Sequence, residues 1–253
     1  MAVSPKHIMR DHGPAQLAQI RIRQPEPVAG FGCVFLMRKI TAIQVQKRSP
    51  NRVNIHLDGE FAFGLARIVA AWLRVGQDLS EEKIEQLLAA DARERAYQQA
   101  MLFLSYRARS ESEIRGNLRK HEIPEAVIDE TIERLRQDGL VNDQEFASAW
   151  VENRKTFRPR SRRMMALELR QKGLDEEAIQ SAMENVDDEA SAYEAAQKRA
   201  ARFKGLEWND FRKKLSEFLA RRGYSYSVIA PVVSQVWNEM HTDEQYFEEE
   251  DTT

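Results

Sequence analysis

From Lys39 onward the chain alternates apolar and polar positions: Ile40, Ala42 or Ile43, and Val45, then Val53, Ile55 and Leu57. A period of two lays every second side chain on one face, so two strands are predicted. The pair Asp58-Gly59 is a turn signal before Phe61 and Phe63, which extends the prediction to a small hairpin or meander. At Leu79-Ser80 the period changes. Ser80 is placed to cap "EEKIEQLL", with Lys83 where a capping box would have Glu, and a helical pattern then runs through "ARERAYQQAMLFLSYR" to about Arg107.

Beyond Arg107 the pattern itself repeats. Ile114, Met165 and Leu215 share one column, Leu118, Leu169 and Leu219 the next, at steps of 51 and 50 residues. Ile128, Ile179 and Ile229 keep the same offsets, as do Ile132, Met183 and Val233, and Leu135, Val186 and Val236. Within each unit the last helix has apolar residues at i, i+4 and i+7, one face of a 3.6-residue period. Ser110 with Glu113 makes a capping box for "ESEIRGNLRK", Pro124 opens "PEAVIDETIERLRQDG" and Gly139 ends it. Asn142 with Glu145 caps "DQEFASAWVENRKT", Pro159 breaks that helix, Ser161 caps the next and Gly173 closes it. Gly223 repeats Gly173, and the third unit reads "ASAYEAAQKRAARF", "NDFRKKLSEFLARR" and "SYSVIAPVVSQVW", with Pro231 a weak point in its last helix.

The predicted class is mainly α, a tandem array of three-helix repeats with a small N-terminal β-hairpin extension. Its divisions are 1–36, an extension expected to be disordered with Met37 a candidate natural start; 37–91, hairpin and linking helix; repeats 92–141, 142–187 and 188–238; and 239–253, an acidic tail expected to be disordered. Neighbouring repeats must cover one another's apolar faces, so an elongated, curved array with a binding surface is expected.

Composition agrees with helix: charged residues reach 31%, whereas Gly and Pro number only 11 and 8 in 253 residues. The single Cys33 excludes an intramolecular disulfide and a cysteine zinc cluster, which fits a reducing, cytoplasmic setting. The longest apolar run, Val28 to Met37, is half of what a membrane span needs, and its leader is wrong for a secretory signal.

Little points to catalysis. His7, His12, His56, His121 and His241 are scattered, and there is no Gly-rich phosphate loop. Asp187-Asp188-Glu189 stands at a predicted helix start, where the macrodipole already favours carboxylates. No catalytic, cofactor or metal-binding residue is therefore assigned. The cations are another matter. Net charge is only -2, yet from Arg154 to Lys172 eight basic residues, Arg154, Lys155, Arg158, Arg160, Arg162, Arg163, Arg170 and Lys172, face one acidic residue, Glu168. Arg107 and Arg109 occupy the same place in the first unit, and Lys198, Arg199, Arg202 and Lys204 lie in the third unit's opening helix. A stripe of this kind suits phosphates or an acidic protein surface. Phe146 and Trp150, four residues apart, read as core.

"SESEIRGNL", "DGLVNDQEFASAWVENR" and "RPRSRRMMALELRQKGL" resemble the RecX family, bacterial regulators of the RecA recombinase, over about Ala92 to Trp237. The family often has Gly where Arg160 or Ser161 stands here, and segment 39–64 resembles an N-terminal extension of some members. The resemblance implies a non-enzymatic repeat array that lies in the groove of the RecA–DNA filament and limits recombinase activity, and a monomer is expected. It places Arg158, Arg160, Arg162 and Arg163 at the centre of contact, with single-stranded DNA alone bound weakly. Three rivals stay open: a free-standing helical DNA-binding regulator, a divalent-metal nuclease using Asp187, Asp188 and Glu189, and a scaffold binding only protein.

Overall fold

The computed structural model describes the backbone of residues 37–250 and side chains through His241. The expectations for residues 1–36, including Cys33, and for the last three residues lie outside the described residues. Strands β1 (Arg38–Gln46), β2 (Ser49–Leu57) and β3 (Glu60–Ala66) form an antiparallel meander. Asp58 and Gly59 turn β2 into β3 with φ of 54° and 91°. Both values lie in the left-handed region that a tight hairpin turn demands. In β2 the alternation resolves as predicted, with Val53, Ile55 and Leu57 inward in one cluster with Ile40, Phe63 and Leu65, but in β1 Val45 is exposed, because register shifts between Ile40 and Ala42 and at Val45 break the period. A fourth strand, β4 (Asp78–Leu79), pairs with Arg38 and Lys39 and gives the order β3-β2-β1-β4. Two residues have no period to read, so the pattern missed it.

Helix α1 (Glu81–Leu104) begins at Ser80, whose hydroxyl accepts from the Lys83 amide at 3.2 Å without a reciprocal carboxylate. It serves two cores. Leu87 closes the sheet cluster and Ala100 the first repeat, so the expected boundary between residues 91 and 92 falls inside one continuous helix. Asp91 fixes that helix on the sheet. Its buried carboxylate accepts from the Ala66 amide at 2.6 Å and from Arg52 at 3.0 and 3.3 Å. The helix ends at Leu104, short of Arg107.

The repeats follow as α1–α2 (Glu111–Lys120)–α3 (Glu125–Gln137), α4 (Asp143–Phe157)–α5 (Arg162–Gln171)–α6 (Glu176–Met183) and α7 (Asp188–Ala200)–α8 (Trp208–Ala220)–α9 (Tyr226–Glu250). Every residue of the five columns is buried. The predicted caps form at Ser110, with its full capping box, at Asn142 and at Ser161. One expectation fails. The tail read as disordered from 239 is helical to Glu250, because apolar contact outlasts the simple period: Trp237 packs on Trp208 and Phe211, and Met240 on the third core. Tyr193 also donates to Glu239 at 2.8 Å. Pro231 does not interrupt α9.

Successive repeats meet through the same joint twice. The Ser110 hydroxyl donates to the Lys172 carbonyl at 2.7 Å, and one repeat later the Ser161 amide donates to the Arg222 carbonyl at 3.1 Å. Beside these bonds the Glu111 amide donates to the Asp143 carboxylate at 2.9 Å and the Arg162 amide to that of Asp188 at 2.7 Å. Each joint thus satisfies the unpaired amides at a middle helix's N-terminus with groups of the next repeat. Gly173 (φ 79°) and Gly223 (φ 89°) supply the turn that fits against it. The third middle helix is different: it starts a turn earlier, and fully buried Phe211 stands in the column of Ser110 and Ser161.

Candidate interface of basic residues

Pro159 lacks an amide hydrogen and stops α4, so the chain from Arg158 to Ser161 crosses between helices as an irregular link. The ten sequence candidates lie on this link and along α4, α5 and the equivalent link of the first repeat. The structure divides them sharply. Glu168, the one acidic residue of the stretch, accepts from Arg154 Nε and Arg160 Nη1, both at 2.7 Å, and from the Trp150 indole at 2.8 Å. Arg154 also lies 4.4 Å over the Trp150 ring. Arg170 forms a two-pronged pair with Glu176 at 3.0 and 2.7 Å, matching Arg119 on Glu125 in the first repeat. These pairs clip each middle helix to the next. Lys155 is 3.6 Å from Glu152.

Arg107 and Lys172 converge from two repeats on Glu113, at 2.8 and 2.6 Å. Burial pushes the Glu113 carboxyl up, but hydrogen bonds from Arg107 and Lys172 outweigh it and hold the pKa at about 2. A lowered folded-state value stabilises the protein above the ordinary glutamate range, and that contribution is lost as pH falls from about 4.5 toward 2. An acid titration of the thermal midpoint should therefore fall less steeply between pH 4.5 and 2 for Glu113→Gln than for the wild type. Parallel curves would mean that Glu113 is not held this way.

Arg109 lies 4.0 Å over the Phe103 ring and is half-buried, with its Nε buried and without a hydrogen-bond partner. Arg162 donates to the Val186 carbonyl at 3.0 Å. Of the ten, only Arg158 and Arg163 are exposed with no side-chain hydrogen bond or ion pair among the described residues. They flank the link, and Phe157, 74% exposed, adjoins Arg158. Phe157 was not among the sequence candidates. The available signal was Pro159, which ends the helix just beyond an aromatic residue and leaves it without a neighbouring turn. Arg163 also borders an open groove of about 760 Å³ between α5 and α6, with Arg170 and Glu176 on its walls.

The acidic triplet is accounted for differently. Asp187 caps α7 by accepting from the amides of Glu189 and Ala190, and Asp188 accepts from Arg162 across the joint. Among the described residues no group of three or more His, Cys, Asp or Glu side chains could hold a metal ion. Among them, too, no helix is long and apolar enough to cross a membrane.

A small sheet followed by three three-helix units, with exposed cations at a helix link, places the chain among tandem helical-repeat proteins. Four family profiles match in order: "Regulatory protein RecX N-terminal domain" over residues 38–80, and the first, second and third three-helix domains of RecX over 96–135, 142–183 and 187–233. The "Regulatory protein RecX" of Bacillus pumilus is 32% identical over 207 residues, 80% of this chain and 79% of that protein. That of Bacillus subtilis is 32% identical over 209 residues, 81% and 79% of the two chains. A crystal structure of regulatory protein RecX superposes with a TM-score of 0.59 at 30% identity, covering 76% of this chain and 96% of the other. RecX from Lactobacillus salivarius gives 0.52 at 26% identity, covering 58% and 97%. The chain belongs to the RecX family.

Proposed function

We propose that this chain binds the RecA–DNA filament in its groove and limits ATP hydrolysis and strand exchange, acting as a monomer in the cytoplasm and without chemistry of its own. The observation behind this reading is the pair of unpaired, exposed guanidinium groups, Arg158 and Arg163, at either side of a link that the joints hold in place. Arg presents a planar fork to phosphate or carboxylate, and a cation with no internal partner gives up nothing when it binds one. Arg160 and Arg162, counted with them from the sequence, keep internal partners and serve the link's shape.

The free-standing DNA reader is disfavoured in the first two repeats, where a recognition helix would present its first turns to DNA: α3 begins with Glu125 and α6 with Glu176 and Glu177, and the adjacent cations Arg119 and Arg170 are taken up by Glu125 and Glu176.

The test is RecA-dependent ATP hydrolysis on single-stranded DNA at several salt concentrations. Arg158→Ala with Arg163→Ala should leave the thermal midpoint within about 2 °C, as expected for exposed residues. It should raise the concentration for half-inhibition about tenfold at low salt, with the difference shrinking as salt rises. Equal inhibition by both proteins at every salt would remove these residues from the interface.

A further inference from the structure

The two joints invite a comparison within one chain. Aligning Asp143 with Asp188 places Trp150 on Ala195, Asn153 on Lys198, Arg154 on Arg199 and Phe157 on Arg202. The middle-helix offsets place Glu168 on Phe218, Lys172 on Arg222 and Glu113 on Met164. At the first joint these positions are filled and supplied with carboxylates. The Trp150 ring occupies the space, Glu168 takes up Arg154, and Glu113 takes up Lys172. At the second joint all three have been replaced: Ala195 has no ring, and Phe218 and Met164 have no charge. The cations remain.

The result is a groove of about 220 Å³ between the end of α4, α7 and α8, lined by Lys198, Arg199, Arg202 and Arg222 and by no carboxylate. Arg222 lies 3.8 Å over the Phe218 ring, and Arg199 is 5.3 Å from that ring, with its Nε buried and lacking any hydrogen-bond partner. Burial, joined by the nearby charges of Arg160, Arg199 and Arg221, lowers the pKa of Arg222. Positive groups crowded together, with one buried donor unpaired, are stabilised by an anion. Phe157 and Pro159 form the groove's opposite wall. An exposed aromatic ring beside cations suits a strand whose bases are free to stack, whereas duplex bases are already stacked on one another. An acidic protein surface would satisfy the cations but has no use for the ring.

Resting on the nucleic-acid partner inferred above, we propose that this groove holds the phosphodiester backbone of single-stranded nucleic acid, with a base stacked on Phe157. The first joint, of the same architecture, is built shut.

The experiment is fluorescence anisotropy of labelled oligo(dT) with the full chain. Lys198→Glu with Arg202→Glu changes exposed side chains and should weaken binding about tenfold or more while the circular-dichroism melt stays as in the wild type. Neutralising the same two as Lys198→Ala with Arg202→Ala should flatten the slope of log affinity against log salt by roughly 1.4, at about 0.7 per phosphate contact. Phe157→Ala should weaken binding about fivefold or more. The control, Lys213→Glu with Lys214→Glu, makes the same charge change on exposed positions of α8 and should cost less than about threefold. Unchanged affinity in the groove variant, or an equal loss in groove variant and control, overturns the proposal. So does polyglutamate binding that the groove variant loses while its oligo(dT) affinity holds. Filament ATPase inhibition is read on the same samples. A wild type that fails to inhibit sinks the filament reading alone, and the oligo(dT) arm still judges the groove.

Discussion

Leu169→Ala is expected to lower the unfolding free energy by about 2–5 kcal/mol, the range for truncating a buried leucine. Leu169 is fully buried within the second repeat's own cluster, among Phe146, Val151, Met165, Ile179 and Met183. The three repeat cores are separate clusters, so the surrounding side chains available to close the void belong to one small unit. Poor relaxation puts the cost in the upper half of that range. Leu118→Ala and Leu219→Ala, which are equally buried in their own clusters, should cost similar amounts. Chemical denaturation of the three variants checks this, and a loss below about 0.5 kcal/mol at Leu169 would show that the repeat alignment misplaces it.

The second large effect is at the joints. Gly223→Ala is expected to cost about 3 kcal/mol, from two sources. A side chain at φ 89° is strained, and its Cβ would stand 2.1 Å from Met164 Cγ and 2.7 Å from Ser161 Oγ. Gly173→Ala should behave alike, since its Cβ would stand 2.3 Å from the Ser112 side chain. The same column in the first repeat holds Glu122, at φ 58°. No earlier repeat packs against it, so only the backbone strain is present, and Glu122→Gly should raise stability by roughly 0.5–1 kcal/mol. Losses at Gly173 and Gly223 that clearly exceed the gain at Glu122, measured by thermal melts, are the signature. Losses no larger than that gain would mean that glycine's place here is a matter of backbone conformation alone.

The repeats were legible because each depends on short-range signals. Buried columns at a fixed offset, Ser and Asn caps and terminal glycines all sit within one turn of what they specify. The joints were not legible, although their residues were on the page. The bond from Ser110 to the Lys172 carbonyl spans 62 residues, and nothing local to Ser110 distinguishes it from an ordinary cap. The basic site was legible in part for the same reason. A count of eight cations against Glu168 does not show that this one carboxylate meets Arg154 and Arg160 together, or that Glu113 from another repeat meets Lys172. Charge density is a property of sequence, but charge availability depends on which carboxylates the fold delivers. The groove by Arg199 was hidden still further, because it arises from what is missing at Ala195 and Phe218 rather than from any residue that stands out.

The helix start at Trp208 has a consequence for assembly. At both joints a serine stands at the top of the middle helix, and Phe211 takes that position in the last repeat. The first repeat, by contrast, leaves its Glu122 turn uncovered by any earlier one. A head-to-tail contact between copies of this protein through the joint that orders each copy internally would therefore meet the Phe211 ring where both internal joints have a serine.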